Sequence, residues 1–299
     1  MNKRLLATYL GLIFATAAPA VSAQTAPAAA AAPASPHTFT GNVALVSDYR
    51  FRGVSQTFKQ PAIQGGMDYG HSSGLYAGVW GSSVSGNQYP HGASLELDLY
   101  GGWKTEFSNG IGLDIGLLQY YYPGARYHMV SGANNVAKSN NKFDNTEAYI
   151  GVSYKWFSLK YNRTLSNFFG VKNQTYGGAC GLNANFVANP GDCFGATPGN
   201  SRGSGYWDAN AKFEIFDKTT LGLHIGHQTV RHYSKLNYTD YKVSVERDFG
   251  FATIGAALIG TNAKKDWYRA ASPGTVQAGI GSTKQISSGT VVLSIAKTF

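Results

Sequence analysis

After Phe39 no apolar stretch approaches the length of a transmembrane helix, and charge is scarce, at 14% of the chain. A helix needs about 20 apolar residues to cross a bilayer. A helical bundle in a membrane is thereby excluded, and membrane residence has to rest on strands. Cysteine is limited to Cys180 and Cys193, thirteen positions apart, which lacks the CxxC spacing of a metal or redox site. Nothing has the pattern of a phosphate loop. No compact Lys/Arg cluster is interleaved with stacking aromatics, so nucleic acid is not an expected partner.

What is abundant is 37 Gly, 19 Tyr and 16 Phe in 299 residues, against 3 Met. Many glycines and aromatics with few helix formers point to a long antiparallel β meander rather than an α/β enzyme. Lys3 and Arg4 precede a mainly apolar run over 5–15, and Val21-Ser22-Ala23 supplies small residues before Gln24, so residues 1–23 are expected to be a cleaved signal peptide. Removing its two bases takes the formal charge from +9 to +7. Residues 24–38, rich in Ala and Pro, read as a flexible leader, and residues 39–299 as one β domain.

Twelve alternating segments follow, at 40–49, 62–69, 75–83, 94–107, 111–121, 145–154, 158–168, 205–216, 220–229, 238–248, 251–261 and 288–299. Every second link is a tight turn, such as Ser108-Asn109-Gly110, while the links between exceed twenty residues after Thr261 and thirty after Phe168. Loops sorted in this way, joined to an even strand count, predict a transmembrane antiparallel β-barrel of about 12 strands with both termini periplasmic.

The two faces agree. Leu95, Leu97, Leu99 and Trp103 alternate with Glu96, Asp98, Tyr100 and Lys104; Trp207, Ala209, Ala211, Phe213 and Ile215 alternate with Asp208, Asn210, Lys212 and Glu214. Inside a sandwich core each unpaired charge would cost several kcal/mol, whereas a hydrated lumen accepts it. Tyr49, Tyr69, Trp103, Tyr120 to Tyr122, Tyr154, Trp156, Trp207 and Tyr238 stand near strand ends, where interfacial girdles are expected. The last strand puts Val291, Leu293, Ile295 and Phe299 on one face, with Val292 the exception. It resembles the closing strand of a bacterial outer-membrane barrel, in which a terminal aromatic such as Phe299 is part of the signal read by the barrel-assembly machinery.

Ser47-Asp48-Tyr49-Arg50-Phe51-Arg52-Gly53-Val54-Ser55-Gln56, followed by Pro61-Ala62-Ile63-Gln64-Gly65-Gly66-Met67-Asp68-Tyr69, resembles the signature of the TorF-type porins of proteobacteria. Leu95-Glu96-Leu97-Asp98-Leu99-Tyr100-Gly101-Gly102, Thr239-Asp240-Tyr241-Lys242 and Lys297-Thr298-Phe299 match as well. The resemblance implies a porin in the outer membrane of a Gram-negative bacterium and no established substrate. The segment from 170 to 204 departs from the family pattern. Its Cys180 and Cys193 are expected to form a disulfide that stiffens an external loop, folded into the barrel or left outside it.

Asp48, Arg50 and Arg52 share the polar face at the outward end of the first segment. With Asp68, Glu96, Asp98, Asp114, Lys212, Glu214 and Lys242 they are the expected pore lining, acidic and basic ladders that filter small solutes by size and charge. The alternative is that these charges pair and plug a barrel narrower than the sixteen to eighteen strands of open porins, leaving a closed module that acts through its external loops. Those loops carry Lys59, Arg126, Lys172, Arg202, Arg231 and Lys284 among other bases, suited to lipid phosphates and hence to lipopolysaccharide. An enzyme such as a phospholipase is disfavoured: lone His227 follows Leu221, Leu223 and Ile225 on the apolar face with no Ser-centred motif beside it. His224 lies on the opposite face from His227, which spoils a metal pair, and no cofactor is expected.

Overall fold

The computed structural model describes residues 35–86, 93–131, 136–172, 199–271 and 283–299. Among them, twelve strands close into one antiparallel barrel. They are β1 (His37–Val46), β4 (Ala62–His71), β5 (Leu75–Ser83), β6 (Leu95–Glu106), β7 (Ile111–Tyr121), β10 (Asn145–Tyr154), β11 (Phe157–Thr164), β12 (Gly205–Phe216), β13 (Thr219–Thr229), β14 (Tyr238–Asp248), β15 (Thr253–Thr261) and β18 (Thr290–Thr298). Three small hairpins stand in the connections: β2 (Arg50–Phe51) with β3 (Val54–Ser55), β8 (Arg126–Ser131) with β9 (Val136–Lys142), and β16 (Arg269–Ala271) with β17 (Thr283–Gln285). The expected signal peptide and the Cys180–Cys193 disulfide lie outside the described residues.

Barrel strands pair with their neighbours in order, and β1 closes the ring against β18. At that seam Gly41 and Phe299 exchange two backbone hydrogen bonds, at 2.7 and 2.9 Å, and the Phe299 ring lies where a Cβ on Gly41 would meet it at 2.6 Å. A ring has no free edge to aggregate, and the closing contact is made by the last residue of the chain. Links of two to four residues, as at 155–156 and 72–74, join strands at one end of the barrel; the long connections 47–61, 84–94, 122–144, 165–204, 230–237 and 262–289 share the other end. Each short link reverses through a residue of positive φ, namely Gly74, Gly110, Lys155, Lys218 or Gly250.

The alternation read from the sequence is the alternation between outside and lumen. On β6, Leu99 is 53% exposed while Glu96 and Asp98 are 0% and 3% exposed. Val43, Ile63, Leu117, Ile225, Leu258 and Leu293 belong to the same exposed apolar band around the barrel. Transfer of each such side chain from water into hydrocarbon is worth roughly 1.5–3 kcal/mol, which a lipid annulus would supply. Val292, the exception in the last strand, is an inward residue at 2% exposure, packed in the cluster that holds Ala257 and Ile259.

Three of the glycines and three of the tyrosines share one cause. Inward Tyr76, Tyr100 and Tyr149 stand directly opposite Gly102, Gly78 and Gly116 on the next strand, and a Cβ on any of these glycines would overlap the facing phenol. The rings therefore lie down along the wall across a missing side chain. This overturns part of the girdle expectation: Tyr120 and Tyr238 are buried because alternation turns them inward, and Tyr49 and Tyr122 are buried in the connections just beyond their strands, whereas Tyr121, Tyr154, Trp156 and Trp207 are exposed on the outer surface.

Candidate functional site

The first strand ends three residues earlier than its pattern. Ser47 donates its N–H to Leu293 O and accepts the Leu293 N–H on Oγ, both at 2.9 Å, and the chain then leaves the wall. Arg50 pairs with Ser55 and Phe51 with Val54 around a two-residue turn, Arg52-Gly53, in which φ is 47° and 78°. Two successive positive φ values are the geometry of a tight hairpin turn, and only the second is occupied by a residue that favours it. Gly53 has a further reason to be glycine: a Cβ would come 2.5 Å from Thr261 Cγ2 and 2.7 Å from Asp240 Cβ. The turn is pressed against β14 and β15. Asp48, Arg50 and Arg52 thus do not line a strand face as expected; they belong to a hairpin folded into the mouth of the barrel at its long-loop end.

At the root of this hairpin Arg50 Nε meets Asp48 Oδ2 at 2.7 Å, and Arg50 Nη1 donates to the carbonyls of Gly53, Ile286 and Ser288. Asp48 Oδ1 accepts from Ser55 Oγ at 2.6 Å and from Thr57 Oγ1 at 3.2 Å. Lys59 reaches Ser288 Oγ at 2.6 Å, and desolvation beside Arg50 lowers its ammonium below the ordinary lysine value. These bonds fasten the hairpin to the last long connection. A buried pair such as Asp48 with Arg50 adds little net stability when intact but is costly to break on one side, so it specifies where the hairpin sits.

The tip reaches across the lumen. Arg52 Nη2 lies 2.7 Å from Glu147 Oε2 on β10, and Arg52 Nη1 donates to Gln228 Oε1 on β13 at 2.7 Å. Those strands flank the side of the ring opposite β1. The guanidinium also lies 4.1 Å from the centroid of the Tyr206 ring and 4.7 Å from that of Phe51. Phe51 is held in turn by Phe169 and Tyr120, at centroid distances of 5.6 and 5.4 Å. Phe169 adopts a left-handed φ of 44° in the turn Phe168–Gly170 that begins the longest connection. Two connections are thereby locked over the same mouth.

Beside the tip is an acidic strip of wall. Glu96 Oε1 accepts from Tyr49 OH at 3.1 Å, and Glu147 Oε1 accepts from Asn145 Nδ2 at 3.0 Å. Asp98 stands directly opposite Tyr120 in the β6–β7 register. Glu96 Oε2, Asp98 Oδ1 and the Tyr120 hydroxyl are buried and make no hydrogen bond among the described residues.

Deeper in, two of the remaining expected lining residues are paired. Asp68 accepts from Tyr100 OH at 2.5 Å; Asp114 accepts from Tyr76 OH at 2.5 Å and faces Lys160 Nζ at 3.5 Å. His224 sits between Asp240 at 2.8 Å and Asp208 at 3.2 Å. Towards the short turns Lys212 and Lys242 line a small pocket with Glu246 and Ser244, while Glu214 lies exposed at a register shift near the turn and accepts the Lys218 N–H. His227 is on the outer face, 2.9 Å from Thr239 Oγ1. Among the described residues no three His, Cys, Asp or Glu are disposed to hold a metal.

Sequence reasoning passed over Glu147 altogether. The signal was present, since Asn145, Glu147, Tyr149 and Ser153 alternate with Thr146, Ala148, Ile150 and Val152, but alternation does not say which distant residue a carboxylate meets.

Residues 30–299 match the model of a family described as "Bacterial protein of unknown function (Gcw_chp)". No curated protein matches. Among solved structures, the NanC porin aligns with a TM-score of 0.46 at 8% identity, covering 87% of this chain and 98% of that one. The KdgM porin aligns at 0.45 and 6% identity, with the same coverage of 87% and 98%. An outer membrane channel from Pseudomonas putida F1 aligns at 0.41 and 12% identity, covering 92% and 99%.

Proposed function

The chain belongs to the Gcw_chp family, and we propose that it is an outer-membrane channel of the porin kind, closed at the long-loop end by its residue 48–58 hairpin and open to small hydrophilic solutes when that hairpin withdraws. The observation that carries this reading is a lumen lined by charge inside a wall whose outer face is apolar. A soluble protein has no use for that inversion, and a barrel built only as a stake in the membrane has no use for His224, Asp208, Asp240, Lys160 and Asp114 facing one another inside. The hairpin lies within Ser47 to Gln56, the first of the segments that resemble the TorF-type porins. Export by a cleaved signal peptide, termini in the periplasm, insertion through the assembly machinery by way of Phe299, and contact of the basic loops with lipopolysaccharide complete the proposal.

A second reading is favoured by the Arg52 bridge: a barrel shut by its own hairpin that serves as a surface module through its loops. Single-channel recording in planar bilayers separates the two. Wild type is expected to open rarely, and a variant with residues 50–55 replaced by a Gly/Ser link to conduct in steady steps. Silence from both, with insertion confirmed by the heat-dependent gel shift of a folded barrel, overturns the channel.

A further inference from the structure

The guanidinium of Arg52 is held as a ligand is held. One edge meets the carboxylate of Glu147, the other meets the amide oxygen of Gln228, and its faces lie against Phe51 and Tyr206. Recognition by two acceptors set at separate guanidinium nitrogens, with aromatic rings close by, fits a planar guanidinium better than a compact ammonium or a metal ion. Except for Phe51, the recognising groups come from the barrel wall, on β10, β12 and β13, and not from the hairpin.

The wall also carries more carboxyl groups and more hydrogen-bonding capacity than Arg52 satisfies. Glu96, Asp98 and Glu147 form one acidic strip, and Arg52 is the one cation bonded to it among the described residues. Tyr120, 1% exposed, sits opposite Asp98, and its hydroxyl makes no hydrogen bond among the described residues. It is an independent residue, packed against Phe51 of the hairpin, and together with Glu96 Oε2 and Asp98 Oδ1 it marks polar atoms left without partners among the described residues. Such orphans are rare in buried positions. They mark a surface suited to a cation carrying more N–H groups than one arginine side chain brings.

We infer that this strip is a binding site for small organic cations bearing a guanidinium or amidinium group, and that Arg52 occupies it as a built-in ligand when the hairpin is closed. A free solute with the same head group competes with Arg52 for Glu147 and Gln228, and can add bonds to Asp98, Glu96 and Tyr120. Displacement of Arg52 frees the tip, so the site reads the solute it admits. The role in passage rests on the channel proposed above, whereas occupancy of the site does not.

The test uses the full chain, folded in detergent micelles, with methylguanidinium chloride as the probe and methylammonium and sodium chloride as controls, read by calorimetry. Wild type is expected to bind methylguanidinium weakly, because Arg52 competes. Arg52→Ala is expected to bind it at least tenfold more tightly, with Arg52→Gln as the alternative should the alanine variant fail the gel-shift test of folding. Adding Glu147→Gln to that background should lower affinity at least tenfold. Equal affinity in all three proteins, or no preference for methylguanidinium over methylammonium, overturns the inference. Conductance is recorded on the same preparations. An Arg52→Ala channel that conducts without preferential binding leaves the channel standing and removes the cation site; preferential binding with silent bilayers does the reverse.

Discussion

Arg52 and Glu147, separated by 95 positions in the chain, meet at 2.7 Å across the lumen, with side chains 6% and 1% exposed. Removing one member of a buried pair leaves the other charge stranded, at about 3–5 kcal/mol. The hairpin can relieve that cost by leaving the mouth, so the loss will be partly hidden. Single and double substitutions, Arg52→Ala and Glu147→Gln, should therefore be non-additive by about 1–3 kcal/mol in urea unfolding from lipid vesicles. Additive effects would mean that the two side chains are not coupled in the folded protein.

Leu293 and Ser294 are consecutive and face opposite ways. Leu293 is 58% exposed on the outer band, while Ser294 faces inward, where a Cβ on neighbouring Gly255 would meet both Ser294 Oγ at 2.7 Å and Glu246 Cγ at 3.1 Å. Leu293→Arg should cost roughly 2–4 kcal/mol in vesicles. Ser294→Arg, beside Glu246, should cost less than about 1 kcal/mol. The same unfolding measurement decides, and equal costs would contradict an apolar band set in lipid.

The tyrosine that lies across a glycine gives a packing test. At Gly116 a Cβ would overlap the Tyr149 hydroxyl, which is bonded to Tyr76. At Gly70 a Cβ would meet nothing within 4 Å. We expect Gly116→Val to destabilise the barrel by about 1–3 kcal/mol and Gly70→Ala to stay within about 0.5 kcal/mol of wild type. Thermal gel-shift midpoints rank the two, and a neutral Gly116→Val would show that the tyrosines do not depend on the missing side chain.

Phe169 closes the aromatic group of Phe51, Tyr120, Tyr122 and Phe143 over the hairpin. Truncation to alanine removes that clamp and touches the wall at Tyr120. Amide exchange in residues 50–55 should accelerate at least tenfold in Phe169→Ala, the factor that corresponds to about 1.4 kcal/mol, while exchange in β13 and β14 stays unchanged. Unaltered exchange at the hairpin would show that the bonds of Asp48 and Arg50 hold it alone.

The barrel was legible in the chain because its determinants are local. A period of two assigns each residue to a face, and short turns with Gly or Lys at positive φ assign each link to an end. Twelve segments marked on those two signals are the twelve strands of the ring, with ends displaced by a few residues. Glu96 and Asp98 fall on the inner face of the alternation, and both are buried.

What the sequence by itself determined is therefore the strand number, the two faces and the sorting of the loops, all properties that depend on neighbours a few residues away. Only the tertiary structure decided that Asp48, Arg50 and Arg52 leave the wall. Their alternation continues that of the first strand without a break, and Gly53 is the sole local mark of the turn. The partners that draw them inward, Glu147, Gln228 and Ile286, are brought within reach by closure of the ring. A hydrogen bond across a lumen is set by the register of every strand between its ends, and no stretch of sequence contains that sum.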